Sequence, residues 1–322
     1  MQSKEIHHRS IKLGVSSCLL GEKSRYNSGH KRNAYIADIL GQYFQFVAIC
    51  PELEVGMDVP REPVRLMGAF NNPKLIGVKT GTDWTERMNK YARRRVSKAD
   101  LKDISGYILK EKSPSCGGDR VKVYGHKGTS RQNGVGLFAA ALMKRFPYLP
   151  MEEEGRLEDA AVLENFITRI FAYNRLQQLH KQPFSRQRMT DIHTAHKYLL
   201  LAHHPEKYRQ LSYLTEDVKN YLPTEFKEKY QTLFMQILMY KATVKKNVIV
   251  LQRMAGCLKN KISVKERQDL ASAIEKYHRE LVQLKVPLTL IRNLAEKYEI
   301  AALQSQVYLN PHPQELLLRN LK

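Results

Sequence analysis

Hydrophobic positions fall into two textures along the chain. Up to about residue 150 they come in short runs broken by glycine-containing turns. Residues 11–15 read as a strand running into Ser16-Ser17-Cys18, and residues 44–49 (FQFVAI) as a strand that stops at Cys50. Residues 75–78 and 104–109 are two further short β-type runs. Between them, residues 35–43, 83–99 and 135–145 carry helical spacing. Strands alternating with helices predict an α/β N-terminal domain, a mostly parallel sheet with flanking helices. Between Phe166 and Tyr298 the apolar residues recur mostly three or four apart, which predicts an all-α C-terminal domain. Pro205, Pro223 and Pro287 punctuate those helices. The segment from Gln306 to Glu315 reads as an ordered tail packed back on them. The expected division is a domain over 8–160, a helical connector over 161–190 and a helical domain over 191–322.

Composition agrees with two ordinary globular cores. The chain has 322 residues, 43% of them hydrophobic and 26% charged, and one core rarely grows past about 250–300 residues. Mean hydropathy is −0.47. No stretch approaches the ~20 apolar residues of a membrane helix. The N-terminal residues show no apolar signal core, so a cytoplasmic setting is expected. Four cysteines are too few for a disulfide scaffold and fit ligand, catalytic or core roles.

Charge narrows the partner. Lys and Arg number 53 against 32 Asp and Glu, a net charge of +21, with pI near 9.7. That field attracts polyanions, nucleic acid first among them. Residues 1–150 hold 26 basic and 13 acidic residues, and residues 171–322 hold 25 and 13. Both halves suit one polyanion spanning them. Residues 151–170 are a local acidic exception, opening with Glu152-Glu153-Glu154.

Cys18, Cys50 and Cys116 lie in the first half, each after a predicted strand or the loop that follows one. Loops at the carboxyl ends of parallel strands share one crevice, so three cysteines distant in sequence could meet there. Their spacing contains no Cys-x-x-Cys pair, and three free core cysteines remain an alternative. Proline or glycine beside Cys50 and Cys116 fixes tight turns and leaves backbone N–H groups free to bond sulfur.

The flanks carry a resemblance. SSCLLGEKSRYNSGHKR, CPELEVGMDVPREPVRL and KSPSCGGDRVKVYG resemble the thiouracil desulfurase (TudS) family. AHKYLLLAHHPEKYRQL, NVIVLQRMAGCLK, KVPLTLIRN and QVYLNPHPQELLLRN resemble the YbgA-like helical domain. The fused arrangement is similar to RudS-type bacterial desulfidases. That resemblance implies a [4Fe-4S] cluster on Cys18, Cys50 and Cys116, with one iron left open to bind a thiocarbonyl sulfur. It implies Glu52 as the base that activates water, and Ser113 or Ser115 as a hydrogen-bonding or proton-relaying partner. The implied reaction converts 4-thiouridine in tRNA to uridine without net redox change. A desulfurase of free thiouracil-type bases is one alternative, and a non-catalytic iron–sulfur RNA-binding or sensor protein is another. The loop after Cys18 departs from the family pattern at Asn27-Ser28, and the loop after Cys116 at Gly118-Asp119. Arg253 and Cys257 depart from it in the helical domain.

For tRNA, the candidate contacts are Lys31, Arg32, Arg61, Arg93, Arg94, Arg95, Lys245, Lys246, Arg253, Lys259 and Lys261. Phosphate contacts of this kind supply affinity by releasing counterions. An extruded base needs a stacking partner, and Tyr26 or His30 could serve. Cys257 reads as a small core residue. His193, His196, His203 and His204 lie close in sequence, but no carboxylate at metal-ligand spacing accompanies them. They read as helix-surface or core hydrogen-bonding groups.

Overall fold

The computed structural model describes residues 11–125, 129–313 and 316. They form two compact units, divided between Glu158 and Asp159.

The first unit is built on a four-stranded sheet, order β2-β1-β5-β8, with every pairing parallel. Its strands are β1 (Lys12–Ser16), β2 (Gln45–Ile49), β5 (Ile104–Leu109) and β8 (Met151–Glu153). β5 reads Ile-Ser-Gly-Tyr-Ile-Leu and is buried at every position, the expected state of a parallel strand covered on both faces. Gly14 on β1 lets the Tyr107 ring cross the sheet: a Cβ there would come within 2.1 Å of Tyr107 Cδ2. The chain moves from β1 to β2 on one side and later to β5 on the other. The carboxyl edge beside β1 is therefore a topological switch point.

A second sheet, order β4-β3-β6-β7, joins β3 (Val64–Ala69), β4 (Asn72–Gly77), β6 (Val121–Tyr124) and β7 (Ser130–Gly134). Only β4 overlaps a predicted run, that over residues 75–78. Helices α1 (Pro51–Glu54), α2 (Thr85–Arg95), α3 (Ala99–Lys102) and α4 (Leu137–Arg145) complete the unit. The helical stretch expected over 35–43 is instead a single π-type turn, Tyr35–Ile39, followed by a 3-10 turn, Leu40–Gln42.

The described residues of the second unit form helices and connecting turns, with no strand among them. α5 (Ala160–Lys181) starts on Asp159, whose carboxylate accepts from Ala161 N at 2.8 Å. This helix covers most of the segment expected as a connector, and it buries Phe166, Ile167, Ile170 and Leu176 within the unit. α6 (Arg186–His203), α7 (Pro205–Glu216), α8 (Pro223–Met239), α9 (Val244–Leu258), α10 (Val264–His278), α11 (Lys285–Lys297) and α12 (Ala301–Gln304) follow. Pro205 and Pro223 occupy the first positions of α7 and α8, where the missing N–H would be unpaired anyway. Pro287 lies in the first turn of α11 for the same reason. Phe226, Tyr230 and Phe234, four apart on α8, set successive ring centroids 5.8 Å apart and are fully buried. The tail packs back on this unit: Val307 N donates to Ala195 O, and the Tyr308 hydroxyl donates to Asn247 Oδ1. Gln314 and Glu315 lie outside the described residues. No helix among the described residues is long and apolar enough to cross a membrane.

Candidate active site

Parallel pairing sends the ends of β2, β1 and β5 to one edge, and the three cysteines follow from it. Cys18 sits in the tight turn after β1, and Cys50 directly follows β2. Cys116 lies within the loop between β5 and β6. All three line one cavity of about 360 Å³, together with Glu52, Arg61 and Tyr26.

Local chemistry fixes each sulfur. Cys50 is the residue before α1, where Pro51 takes the first helical position. Its Sγ lies 3.8 Å from the Ser24 carbonyl. Ser24 is held in turn by Ser17 Oγ at 3.0 Å. The Ser113 hydroxyl accepts from Ser115 N at 3.3 Å and from Cys116 N at 3.1 Å, which closes the turn that presents Cys116. Glycine is required beside this turn. A Cβ on Gly136 would lie 2.5 Å from the Ser115 carbonyl, and one on Gly117 would lie 2.8 Å from Ser113 O.

Two carboxylates at the end of β8 anchor the same loop. Glu153 Oε1 accepts from Gly118 N at 2.9 Å and Asp119 N at 3.2 Å. Glu154 accepts from Glu111 N at 2.7 Å and pairs with Lys110. The acidic exception in the sequence is thus loop-holding chemistry, a role that sequence reading missed.

Glu52 stands on α1, two residues past Cys50. Ser115 Oγ donates to its Oε1 at 2.9 Å, and the Arg61 guanidinium pairs with its Oε2. Arg61 is almost wholly buried, its side chain 8% exposed, and it also donates to the carbonyls of Ser24 and Asp58. Of the two candidate serines, Ser115 contacts Glu52 and Ser113 shapes the turn. Burial, with the nearby Cys50 sulfur next, pushes the Cys18 thiol up to about 11. Burial raises Cys116 well above the ordinary thiol range, helped by Cys50, Glu52 and Cys18. Cys50 is raised by burial as well, partly offset by the Leu53 backbone N–H. These mutual effects place the three sulfurs and Glu52 in one electrostatic site.

The donor set suits an iron–sulfur cluster better than a single ion. Among the described residues, no three His, Cys, Asp or Glu side chains are grouped to hold one metal ion. A cubane binds its thiolates through separate irons and accepts a wider triangle of soft sulfur donors.

Residues 13–154 match the 2-thiouracil desulfurase family. Over 147 residues the chain is 34% identical to the uncharacterized protein YbbK of Bacillus subtilis (strain 168), spanning 43% of this chain and 93% of that one. The chain belongs to the 2-thiouracil desulfurase family. Residues 197–313 match a second family, DUF1722, a protein of unknown function. The uncharacterized protein YbgA of Escherichia coli (strain K12) is 28% identical over 158 residues, 49% of this chain and 94% of its own. A solved structure of the [4Fe-4S]-dependent thiouracil desulfidase TudS is 28% identical, covering 46% of this chain and 94% of its own at a TM-score of 0.37.

Several expected RNA contacts of this desulfurase change role. Arg61 is turned inward to Glu52. Arg95 is buried, bonded to both Asp100 oxygens at 2.8 Å and set 3.5 Å from Glu54. Neither presents its guanidinium to a phosphate, because each is the buried partner of a carboxylate. Arg93 and Arg94 are exposed on the same helix, and Lys31 is exposed at the cavity. Arg32 is exposed but pairs with Asp38. In the second unit Lys245, Arg253, Lys259 and Lys261 are exposed, whereas half-buried Lys246 donates to the His203 carbonyl at 2.6 Å. Tyr26 lines the cavity, while His30 is not among its lining residues. Cys257, expected in the core, is exposed and lies 3.5 Å from the Tyr198 hydroxyl.

The helical histidines make core hydrogen bonds. His193 stacks on Tyr208 and contacts Ser212 Oγ at 3.2 Å, and His196 Nδ1 lies 2.7 Å from Ile192 O. Burial lowers His193 to about 4 and His196 to about 3. Both are neutral when folded, yet they take up protons below about 6.5 when unfolded. The unfolded chain therefore binds more protons across that window, and stability falls as pH drops from about 6.5 toward 4. Thermal melts between pH 7 and 5 should show the loss, and His193→Phe should flatten it. Parallel slopes for the two chains would contradict this assignment.

Proposed function

We propose that the chain is a [4Fe-4S]-dependent desulfidase that converts 4-thiouridine in tRNA to uridine. The observation carrying the reading is the convergence of Cys18, Cys50 and Cys116 on one cavity with Glu52 held beside them. A cluster on three thiolates would keep one iron free of protein ligands, supplying a soft Lewis acid for a thiocarbonyl sulfur. The net change is thiocarbonyl plus water to carbonyl plus hydrogen sulfide, so no oxidant or reductant enters.

The protein's share is proton handling and placement. A carboxylate oxygen has two lone pairs. Glu52 can therefore keep Ser115 and Arg61 and still accept a proton from water as that water attacks the thiocarbonyl carbon. Arg61 holds the carboxylate against the cavity wall. Ser115→Ala removes one hydrogen bond to a charged group, worth about 1.5–3 kcal/mol. The expected cost is about 10- to 100-fold in kcat with iron content unchanged. Loss of iron in Ser115→Ala would reassign Ser115 to the turn.

Tyr26 at the cavity supplies a ring for an extruded base. The net charge of +21 supports tRNA over a free base, since a free pyrimidine gains little from such a field while a folded RNA gains phosphate contacts in both halves. The test is anaerobic. The reconstituted chain is mixed with bulk tRNA containing 4-thiouridine, and loss of the thiouridine near-UV band is followed. Loss that depends on the iron–sulfur centre supports the reading. No loss on tRNA with turnover of free thiouracil would move the substrate to the free base. No turnover of either would leave a sensing or binding role.

A further inference from the structure

The second unit avoids glycine. Residues 156–322 contain one, Gly256. The positions just past α10 and α11 adopt left-handed backbone, where glycine is favoured, yet they are filled by Glu280 (φ 57°) and Glu299 (φ 51°). Gly256 sits elsewhere, within the last turn of α9 and before the helix end. Its φ is not positive, and a Cβ built on it would meet nothing within 4 Å. Neither backbone conformation nor packing calls for glycine here, and glycine inside a helix is less stable than alanine.

The surroundings indicate what approaches it. At 100° per residue, Lys245, Ile249, Gln252, Arg253 and Lys259 lie within about 60° of Gly256 on one exposed face. The buried face, Val250, Leu251, Met254 and Leu258 among others, points away. Residues 229–265 contain eight Lys or Arg and no Asp or Glu. Among the described residues no carboxylate pairs with Lys245, Arg253, Lys259 or Lys261. The carbonyls at the end of α9 carry roughly half a negative charge. Lys259 and Lys261, a full charge each, outweigh it.

We propose that the exposed face of α9 docks an RNA sugar-phosphate backbone, with Gly256 as the point of closest approach. The inference rests on the tRNA reading above and adds the surface that does the holding. Positive side chains on either side supply phosphate contacts, and the missing side chain lets the backbone reach the helix surface.

The test separates stability from binding in the full-length chain. Gly256→Ala should raise the melting temperature by about 1–4 °C, because it removes a helix defect. Gly256→Leu should stay folded and weaken binding of unmodified tRNA on the order of tenfold, read by fluorescence anisotropy. Arg253→Ala should lower the slope of log Kd against log salt by about one. Wild-type tRNA binding that survives Gly256→Leu overturns this inference alone. A wild-type chain that binds no tRNA overturns both it and the tRNA reading. Sedimentation showing that Gly256→Leu dissociates an oligomer would assign the face to a second copy of the chain, and overturns it too.

Discussion

Glu52→Gln is expected to lower turnover by between about 100- and 10,000-fold, the usual contribution of a positioned general base, while iron content and tRNA affinity stay near wild type. The amide can still meet one of its two partners but cannot take a proton from water. It also leaves Arg61 without its negative charge in a site where that side chain is only 8% exposed, and a buried cation deprived of its partner is destabilising. A drop in melting temperature should therefore accompany the loss of rate. Glu52→Asp separates the two effects. It restores the charge and withdraws the carboxylate by one methylene, so stability should recover more than rate. If Glu52→Gln turns over within a few-fold of wild type, another group activates the water. Ser113 cannot inherit the task cheaply, since its hydroxyl already accepts two backbone N–H groups.

Much of this site was legible because a parallel sheet sends successive strand ends to one edge. Cys18 and Cys50 each stand at or just beyond such an end, and the run at residues 104–109 correctly located the strand preceding Cys116. The second sheet was not legible. β7 reads Ser-Arg-Gln-Asn-Gly with four exposed positions, so it carries no alternation to detect. Nor does charge say which arginines face inward. Arg93, Arg94 and Arg95 look alike in sequence, yet only Arg95 falls on the buried stripe of α2 with Met88, Tyr91 and Ala92. Residue type, not periodicity, placed Cys257 in the core. On α9 the core-facing residues Leu251, Met254 and Leu258 already fill the stripe, and Cys257 lies beside it. Glu153 and Glu154 were noticed as an oddity of charge; their role depends on backbone N–H groups more than 30 residues earlier, which no local pattern reports.

Cys18→Ala should reduce iron content after anaerobic reconstitution to background and abolish turnover, whereas Cys257→Ala should leave both unchanged. The contrast follows from placement. Cys18 faces the cavity with Cys50 and Cys116, and with one donor removed two thiolates would have to hold the whole cluster. Cys257 is exposed in the other unit and does not line the cavity. The apo thiols at Cys18 and Cys116 are buried and raised by burial, so ionising them without a cation is costly. Metal binding offsets that cost by releasing the protons. Substitution to alanine should for the same reason leave the fold intact and affect the metal, since it removes a thiol that is weakly bonded in the folded chain. Circular dichroism matching wild type, together with lost visible absorption and lost iron, is the expected pair of results. Full iron loading in Cys18→Ala would show that the cluster is held by a different set of donors, and the cavity would then need another occupant.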